Sequence, residues 1–565
     1  MRNTSSAMKV LSLALVIALL LSACTGSGSG NSSGSSSGSS SSTPSSSSSA
    51  TDNSGEKSAI REFEKPEKVT WWRSMDSRIT KFVTTQSETP LYKLWMERVG
   101  MQIEMIHPAQ GAESEGFSVL IASSDLPDII EYDWYSKYPG GPQKALNDEV
   151  IIDLTPLWTT DLCPNILDVL EKYEEYQLSA QIKSANGQYY VFPCIRGSLT
   201  FQVNNGLMLR EDWLEELNLE IPKTIQDWYD VLTAFKTQKE DCVCPLTATF
   251  QFFKDGQAFV GAYGIGHDFY IDTEGVIQYG PIQDDYQKFY EWLNKFYANG
   301  LIDPDFLNTT TDIVNQRMTS GQSGAAIGQN DSTMGVLLAA KADDPTYSLV
   351  GAPHPKLNAD DPDLRIFKRD QLYTTSGCAA ISADSKYPEA AAFVLDYGYS
   401  PEGRLMTNFG VEGESYTIGD DNLPHFTDLL KHNPDGNSLK EMIYLYSIGA
   451  GSGPCERDVQ VVNEQRSDVR IREATDTWCQ VLDRTAIVPR LLFTEDENKT
   501  ISRIMTDINT YQDEMFGKFI MGVVPLSEFP AAVAHIKELG IEEVLEIYND
   551  AYQRLLASGN SNLGQ

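Results

Sequence analysis

Carboxylates, thiols and imidazoles are the groups with which a chain of 565 residues would do covalent chemistry, and here their spacing fits no common catalytic pattern. There is no H-E-x-x-H, no phosphate-cradling G-x-x-x-x-G-K and no G-x-G-x-x-G after a strand. G-x-S-x-G occurs at residues 30–34 and 34–38, inside a Ser/Gly spacer with no strand, helix or base to hold a nucleophile. The six histidines do not pair at ligand spacing. Two carboxylate pairs suit glycoside chemistry, Asp125 with Asp128 and Glu131 with Asp133, yet 79 acidic residues make such pairs unavoidable. Asp303, Asp305 and Asp312 lack the loop glycine and terminal glutamate of a calcium loop, and read as turn and cap residues. Cys242 and Cys244 are half a metal site with nothing to complete it. Neither a cofactor nor a metal is expected, and the chain reads as a non-enzyme.

The start of the chain carries a different chemistry. Arg2 and Lys9 precede an apolar run over residues 10–21 broken only by Ser12, which reads as a secretory signal over residues 1–23. The run is shorter than the roughly 20 residues that a membrane-spanning helix needs. Leu21-Ser22-Ala23-Cys24 resembles the bacterial lipobox, which implies cleavage before Cys24 and acylation of its thiol. Residues 24–60 are then a lipidated cysteine and a disordered Ser/Gly-rich tether, too polar to offset its ordering entropy. About 30 such residues span roughly 30 Å on average and about 100 Å when drawn out. This places the protein on the outer face of the cell membrane.

The remainder is long enough for two or three cores. A composition that is 41% hydrophobic and 10% aromatic is that of a folded chain. The net charge of -35 argues against nucleic acid and against anionic lipid surfaces as partners. Apart from Cys24, seven cysteines remain, an odd number at irregular spacing, which indicates no disulfide framework.

Residues 68–72 read as a first strand, 90–99 as a helix and 102–107 as a second strand. Residues 117–123 are of mixed character and lead to a turn that feeds a buried strand near Asp128. This order implies an α/β fold with a mostly parallel sheet, and ligands of such sheets sit beyond the carboxyl ends of the strands. The residues so placed run from Trp72 to Asp76, with Asp125 and Asp133-Trp134-Tyr135. A strand ending at Pro193, another over residues 200–203 and a helix with Trp213, Leu214 and Leu217 follow. Thr224 then caps an amphipathic helix with Ile225, Trp228, Leu232 and Phe235 on one face. Trp213 and Trp228 are assigned to helix packing. Ile508, Tyr511, Met515 and Phe519 form one late stripe, and Val544, Ile547, Tyr548, Ala551 and Leu555 another, both core by default.

The segments GQYYVFP and NNGLMLREDWLEELNLEIPKTIQDWYDVLTAFK carry a resemblance to the extracellular substrate-binding lipoproteins of carbohydrate-type ABC importers. SSDLPDIIEYD, YGPIQDDYQKFYEWLNKFYANGLIDPDF and SGQSGAAIGQND fit the same family in order. So do YPEAAAFVLDYGYSPEGRLMTNFGVEGESY and FTEDENKTISRIMTDINTYQDEMFGKFIMG, so that the likeness covers residues 65–556. It implies a two-lobed periplasmic-binding-protein-like fold of type II, with discontinuous lobes joined by hinge strands. Residues 61–198 with 375–425 form one lobe, and 199–374 with part of 426–556 and the C-terminal helices the other. It also implies an oligosaccharide ligand, ABC permease subunits as partners and a monomeric receptor.

A sugar offers an apolar face of C–H bonds and a rim of hydroxyls, so its site calls for flat rings and planar polar groups. Trp72, Trp134 and Tyr190 are the stacking candidates, and Arg73, Asp76, Asp125, Gln329 and Asn330 the hydroxyl partners. A surface enzyme acting on glycans, or a receptor for peptides or other solutes on the same scaffold, are the competing readings.

Overall fold

The computed structural model describes residues 61–559 apart from 124, 255–258, 363–370, 450–451, 467 and 481–483. The signal segment, Cys24 and the tether lie outside the described residues. Two sheets, each wrapped by helices, form two bodies, and the chain passes between them several times.

The first sheet holds six strands: β1 (Lys68–Trp72), β2 (Gln102–Ile106), β3 (Ile129–Tyr132), β4 (Phe192–Ile195), β11 (Tyr373–Ile381) and β14 (Cys455–Glu456). Their order across the sheet is β14-β4-β11-β3-β1-β2. Between β1 and β2 runs the Pro90–Val99 helix, set by the Thr89 cap and Pro90 at its start and closed by Gly100 at φ 69°. It buries Leu91, Tyr92, Trp95 and Val99 against the sheet, and the Trp95 indole donates to the Val394 carbonyl at 3.1 Å. The stretch over residues 117–123, of mixed character in sequence, is largely the end of a helix, Glu113–Ile121.

The second sheet is smaller, with β5 (Asn205–Arg210), β6 (Leu246–Thr247), β9 (Ala325–Gln329) and β10 (Leu349–Ala352) in the order β10-β5-β9-β6. The hairpin β7 (Phe269–Ile271) and β8 (Ile277–Tyr279) belongs to the same body. The strand expected over residues 200–203 is instead a short helix, Leu199–Gln202, and the strand begins at Asn205. The Ile225–Gln238 helix starts at Thr224 in a capping box with Asp227 and buries the expected face. Trp213 and Trp228 pack in this core, as their helical positions require.

The first sheet keeps parallel pairings of β1 with β2 and β3 and of β4 with β14 but is mixed, and the second is mainly antiparallel. β11 returns to the first sheet antiparallel to β3 and β4, and β5 runs antiparallel to both β9 and β10. β11 takes the central place between β4 and β3, with its direction reversed relative to both. The lobe boundary expected at residue 425 also moves. A hairpin of β12 (Tyr416–Ile418) and β13 (Pro424–Phe426) and then β14 keep the chain with the first body through Glu456. The second body resumes at the Val469–Cys479 helix, whose Trp478 indole donates to the Leu207 carbonyl of β5 at 2.9 Å. The Glu495–Ile520 helix lies on the Asp284–Ala298 helix, and the Ile541–Gly559 helix touches both β8 and the Leu178–Gln181 helix of the first body.

Candidate functional site

A cavity of about 720 Å³ opens where the bodies meet. Its first wall is the 3-10 turn Glu174–Tyr176 followed by the Leu178–Gln181 helix, joined by Gln177 in the left-handed region at φ 55°. A non-glycine residue there is uncommon and costs about 1–3 kcal/mol, so the surrounding structure must hold it. Leu178, Ser179 and Ala180 are buried beneath and supply that anchorage. The second wall is made of crossing segments: Gly197, Ser198 and Leu199 after β4, Gln371 and Leu372 before β11, and Thr485, Ile487 and Pro489. Ile271 and Tyr552 face them from the second body and the last helix.

Hydrogen bonds lash these segments together. Arg196 N–H donates to the Leu372 carbonyl at 2.7 Å, and Arg457 N–H to the Ile195 carbonyl at 2.9 Å. The Tyr373 hydroxyl donates to the Gln181 carbonyl at 2.8 Å, and Tyr135 to the Leu491 carbonyl at 2.9 Å. Only glycine fits at position 197, because a Cβ there would collide with the Tyr173 ring. Burial pushes the phenols of Tyr190 and Tyr373 well above the ordinary tyrosine range, so both stay neutral. Between the rings of Tyr373 and Tyr135, 4.9 and 5.0 Å away, lies the Arg490 guanidinium, held by π contacts and a 3.5 Å bond to the Tyr373 carbonyl.

The lining is suited to hydroxyls. Three amides (Gln177, Gln181, Gln371), one carboxylate (Glu175), the hydroxyls of Ser198 and Thr485 and the rings of Tyr176 and Tyr552 surround the space. Its volume falls in the range of roughly 300–1,000 Å³ common to small-molecule sites. Gln181 is the most telling. It is buried, its Nε2 donates to the Tyr176 carbonyl at 2.8 Å, and its Oε1 has no partner. An orphan acceptor of this kind costs about 1–3 kcal/mol, and it stands in the wall of the cavity.

None of the eight residues expected to contact a ligand lines this cavity. Trp72 is in the core against Phe117 and Tyr132. Trp134 is fully buried, its indole donating to the Ile130 carbonyl at 3.1 Å and its ring stacked on Tyr138. Tyr190 is buried as well. In this conformation all three rings are packing residues with no face to offer a sugar.

Arg73 is sealed in an ion pair with Glu131 at 3.1 Å and bonds Tyr92 and Ser452, which commits its two terminal guanidinium nitrogens to the fold. Asp76 does lie beyond the carboxyl end of β1, half-buried, but its Oδ1 caps a 3-10 turn through Arg78 N–H at 2.9 Å. Asp125 is exposed and precedes β3, at the edge of the sheet opposite Arg73. Gln329 ends β9 half-buried and accepts from Ser332. Asn330 is buried, tying Asn204 to Thr475 of the Val469–Cys479 helix.

The carboxylates weighed as catalytic pairs also hold structure. Asp128 accepts from Thr70 and Ser385, and Glu131 pairs with Arg73. Asp303 accepts from Asp305 N–H, Thr309 and Arg317, the turn role read for it in sequence.

Relatives of known character align over most of the chain. The fructooligosaccharide ABC transporter substrate-binding protein FusA of Streptococcus pneumoniae serotype 4 is 23% identical over 522 residues, 86% of this chain and 92% of that one. Lipoprotein LipO of Bacillus subtilis is 20% identical over 498 residues, 82% of this chain and 89% of its own length. Among solved structures, an HMO binding ABC-transporter-associated solute-binding protein from Bifidobacterium longum infantis superimposes with a TM-score of 0.67. It is 16% identical, with 87% of this chain and 99% of that chain covered. The model of the bacterial extracellular solute-binding protein family matches residues 92–405, more than half of the chain, and the protein belongs to that family.

Proposed function

We propose that this protein is a membrane-tethered receptor outside the cell that captures an oligosaccharide between its two bodies and delivers it to an ABC permease. The observation that carries the reading is the cavity at the crossing segments, whose amides, hydroxyls and tyrosine rings match the hydroxyl rim and apolar faces of a sugar. FusA, named for fructooligosaccharide, is a relative of nearly the same extent. The lipobox-like Leu21-Ser22-Ala23-Cys24 supports anchorage through Cys24, and LipO is likewise a lipoprotein.

The test is a thermal-shift screen of the soluble part over oligosaccharides, peptides and amino acids, followed by calorimetry on the hits and chromatography for products. Binding of an oligosaccharide without new reducing ends supports the reading. Reducing-end release would make the protein a glycan-acting enzyme, and a response to peptides alone would reassign the ligand. Gln181→Ala is expected to weaken oligosaccharide binding about tenfold, near 1.4 kcal/mol, beside a lower melting temperature from the lost bond to the Tyr176 carbonyl. Unchanged affinity would remove Gln181 from the site.

A further inference from the structure

Cys194 of β4 and Cys455 of β14 stand opposite each other in the register of two neighbouring parallel strands. Both are fully buried, and Cys455 Sγ donates to Cys194 Sγ at 3.6 Å. Neighbouring strands lie about 4.8 Å apart, within the Cα separations of roughly 4.4–6.8 Å that a disulfide spans. Joining the two sulfurs therefore requires side-chain rotation and no movement of the strands.

The position of the pair gives the bond a purpose. β4 leads into the crossing at residues 196–204, and β14 leads into the Val459–Gln465 helix, after which the chain reaches the second body at the Val469–Cys479 helix. Gly197 and Ser198, just past Cys194, line the cavity. We propose that Cys194 and Cys455 form a disulfide in the exported protein, and that it staples the root of the crossing at residues 196–204 to the edge strand of the first sheet. The proposal rests on the extracellular location argued above, where disulfides persist.

The chemistry balances with a thiol–disulfide oxidoreductase as oxidant. The Cys194 thiolate attacks the oxidoreductase disulfide to form a mixed disulfide and expel one of its thiolates. Cys455 then attacks the Cys194 sulfur, which leaves the protein disulfide and the oxidoreductase as a dithiol carrying both electrons and both protons. Both sulfurs are fully buried in the folded chain, so the exchange belongs to folding, before the first body closes over β4 and β14.

The experiment uses the full chain extracted from the membranes of cells that export it. The chain is unfolded in guanidinium with iodoacetamide and no reductant, digested and mapped by mass spectrometry, the N-terminal peptide included. The expected result is a Cys194–Cys455 cross-linked peptide, two hydrogens lighter than the sum of its parts, with the other five cysteines after Cys24 alkylated. A processed chain with all seven alkylated, or a cross-link between any other pair, would overturn the staple alone. A chain that still carries residues 1–23 would overturn the location and the staple together. As a second measurement, reductant should lower the melting temperature of the native chain and leave that of C194S/C455S unchanged. An equal effect on both would count against the bond.

Discussion

Arg73 shows how a residue of the right type in the right place can still be excluded from a site. It follows β1 directly, where ligands of α/β sheets gather, but β3 places Glu131 3.1 Å away and Ser452 closes over the pair from a segment hundreds of residues later. Removing one partner of such a buried pair leaves an uncompensated charge, and Glu131 Oε2 already lacks a partner. Arg73→Met is therefore expected to cost about 3–5 kcal/mol of stability, read as a lower denaturant midpoint, while the folded fraction binds its ligand with unchanged affinity. Lost affinity at unchanged stability would return Arg73 to the site. His425 gives a pH-dependent counterpart. Glu464 at 2.9 Å and Asp421 at 3.0 Å raise its pKa, with Lys431 on the far side of Glu464. A histidine raised in the fold stabilises fully below its unfolded value of about 6.5, and that contribution is lost as pH rises through the folded value. The melting temperature of His425→Gln should thus fall furthest below that of the native chain near pH 5.5 to 6 and converge on it by about pH 8.5. A gap that widens with pH would refute the assignment.

At the scale of elements, the Val469–Cys479 helix is seated on the second sheet by two glycines. Gly206 of β5 lies under the Trp478 ring, and a Cβ on Gly351 of β10 would come within 2.5 Å of the Ala474 Cα. Backbone cannot yield as a side-chain end does, so Gly351→Ala should lift the helix and cost about 1–3 kcal/mol, measured by chemical denaturation. A neutral substitution would mean that the helix is loosely held. This packing explains what the sequence could reveal. The Pro90–Val99 and Ile225–Gln238 helices were legible because Thr89, Pro90, Gly100, Thr224 and Asp227 act within their own turn. The late stripes with Ile508, Phe519, Val544 and Ala551 were legible through their period and are buried as expected. Trp72 and Trp134 stand where the strand-end rule puts them, yet their rings turn into the core, because the rule says where a residue stands and not which way its ring points. Their covers, Phe117 and Tyr138, come from a helix and a turn whose orientation is tertiary. The cavity was illegible for the same reason. Gln177, Gln181 and Gln371 have no local signature, and they converge only after β11 returns to the first sheet.

For the whole molecule, the question is how two bodies joined at so many points can take up and release a solute. Crossing segments meet at the cavity, through Gly197, Ser198 and Leu199, Gln371 and Leu372, and Thr485, Ile487 and Pro489, and the Ile541–Gly559 helix touches β8 of the second body and the Leu178–Gln181 helix of the first. Bodies joined through a cluster of crossing segments retain rotation about that cluster, the hinge closure known for two-lobed ligand binders. Each body has its own aromatic core, so the motion leaves the cores intact and changes only the contact between them. A ligand that touches both Gln181 and Tyr552 binds the closed form better and shifts the population toward it by that difference in affinity alone. A saturating oligosaccharide should therefore reduce the radius of gyration in small-angle scattering while the far-ultraviolet circular dichroism stays the same. Tyr552→Ala should bind more weakly and compact less at equal ligand concentration. Tight binding with no change in the radius would show instead that the cavity is already formed, and that the crossings serve as a rigid frame rather than a hinge.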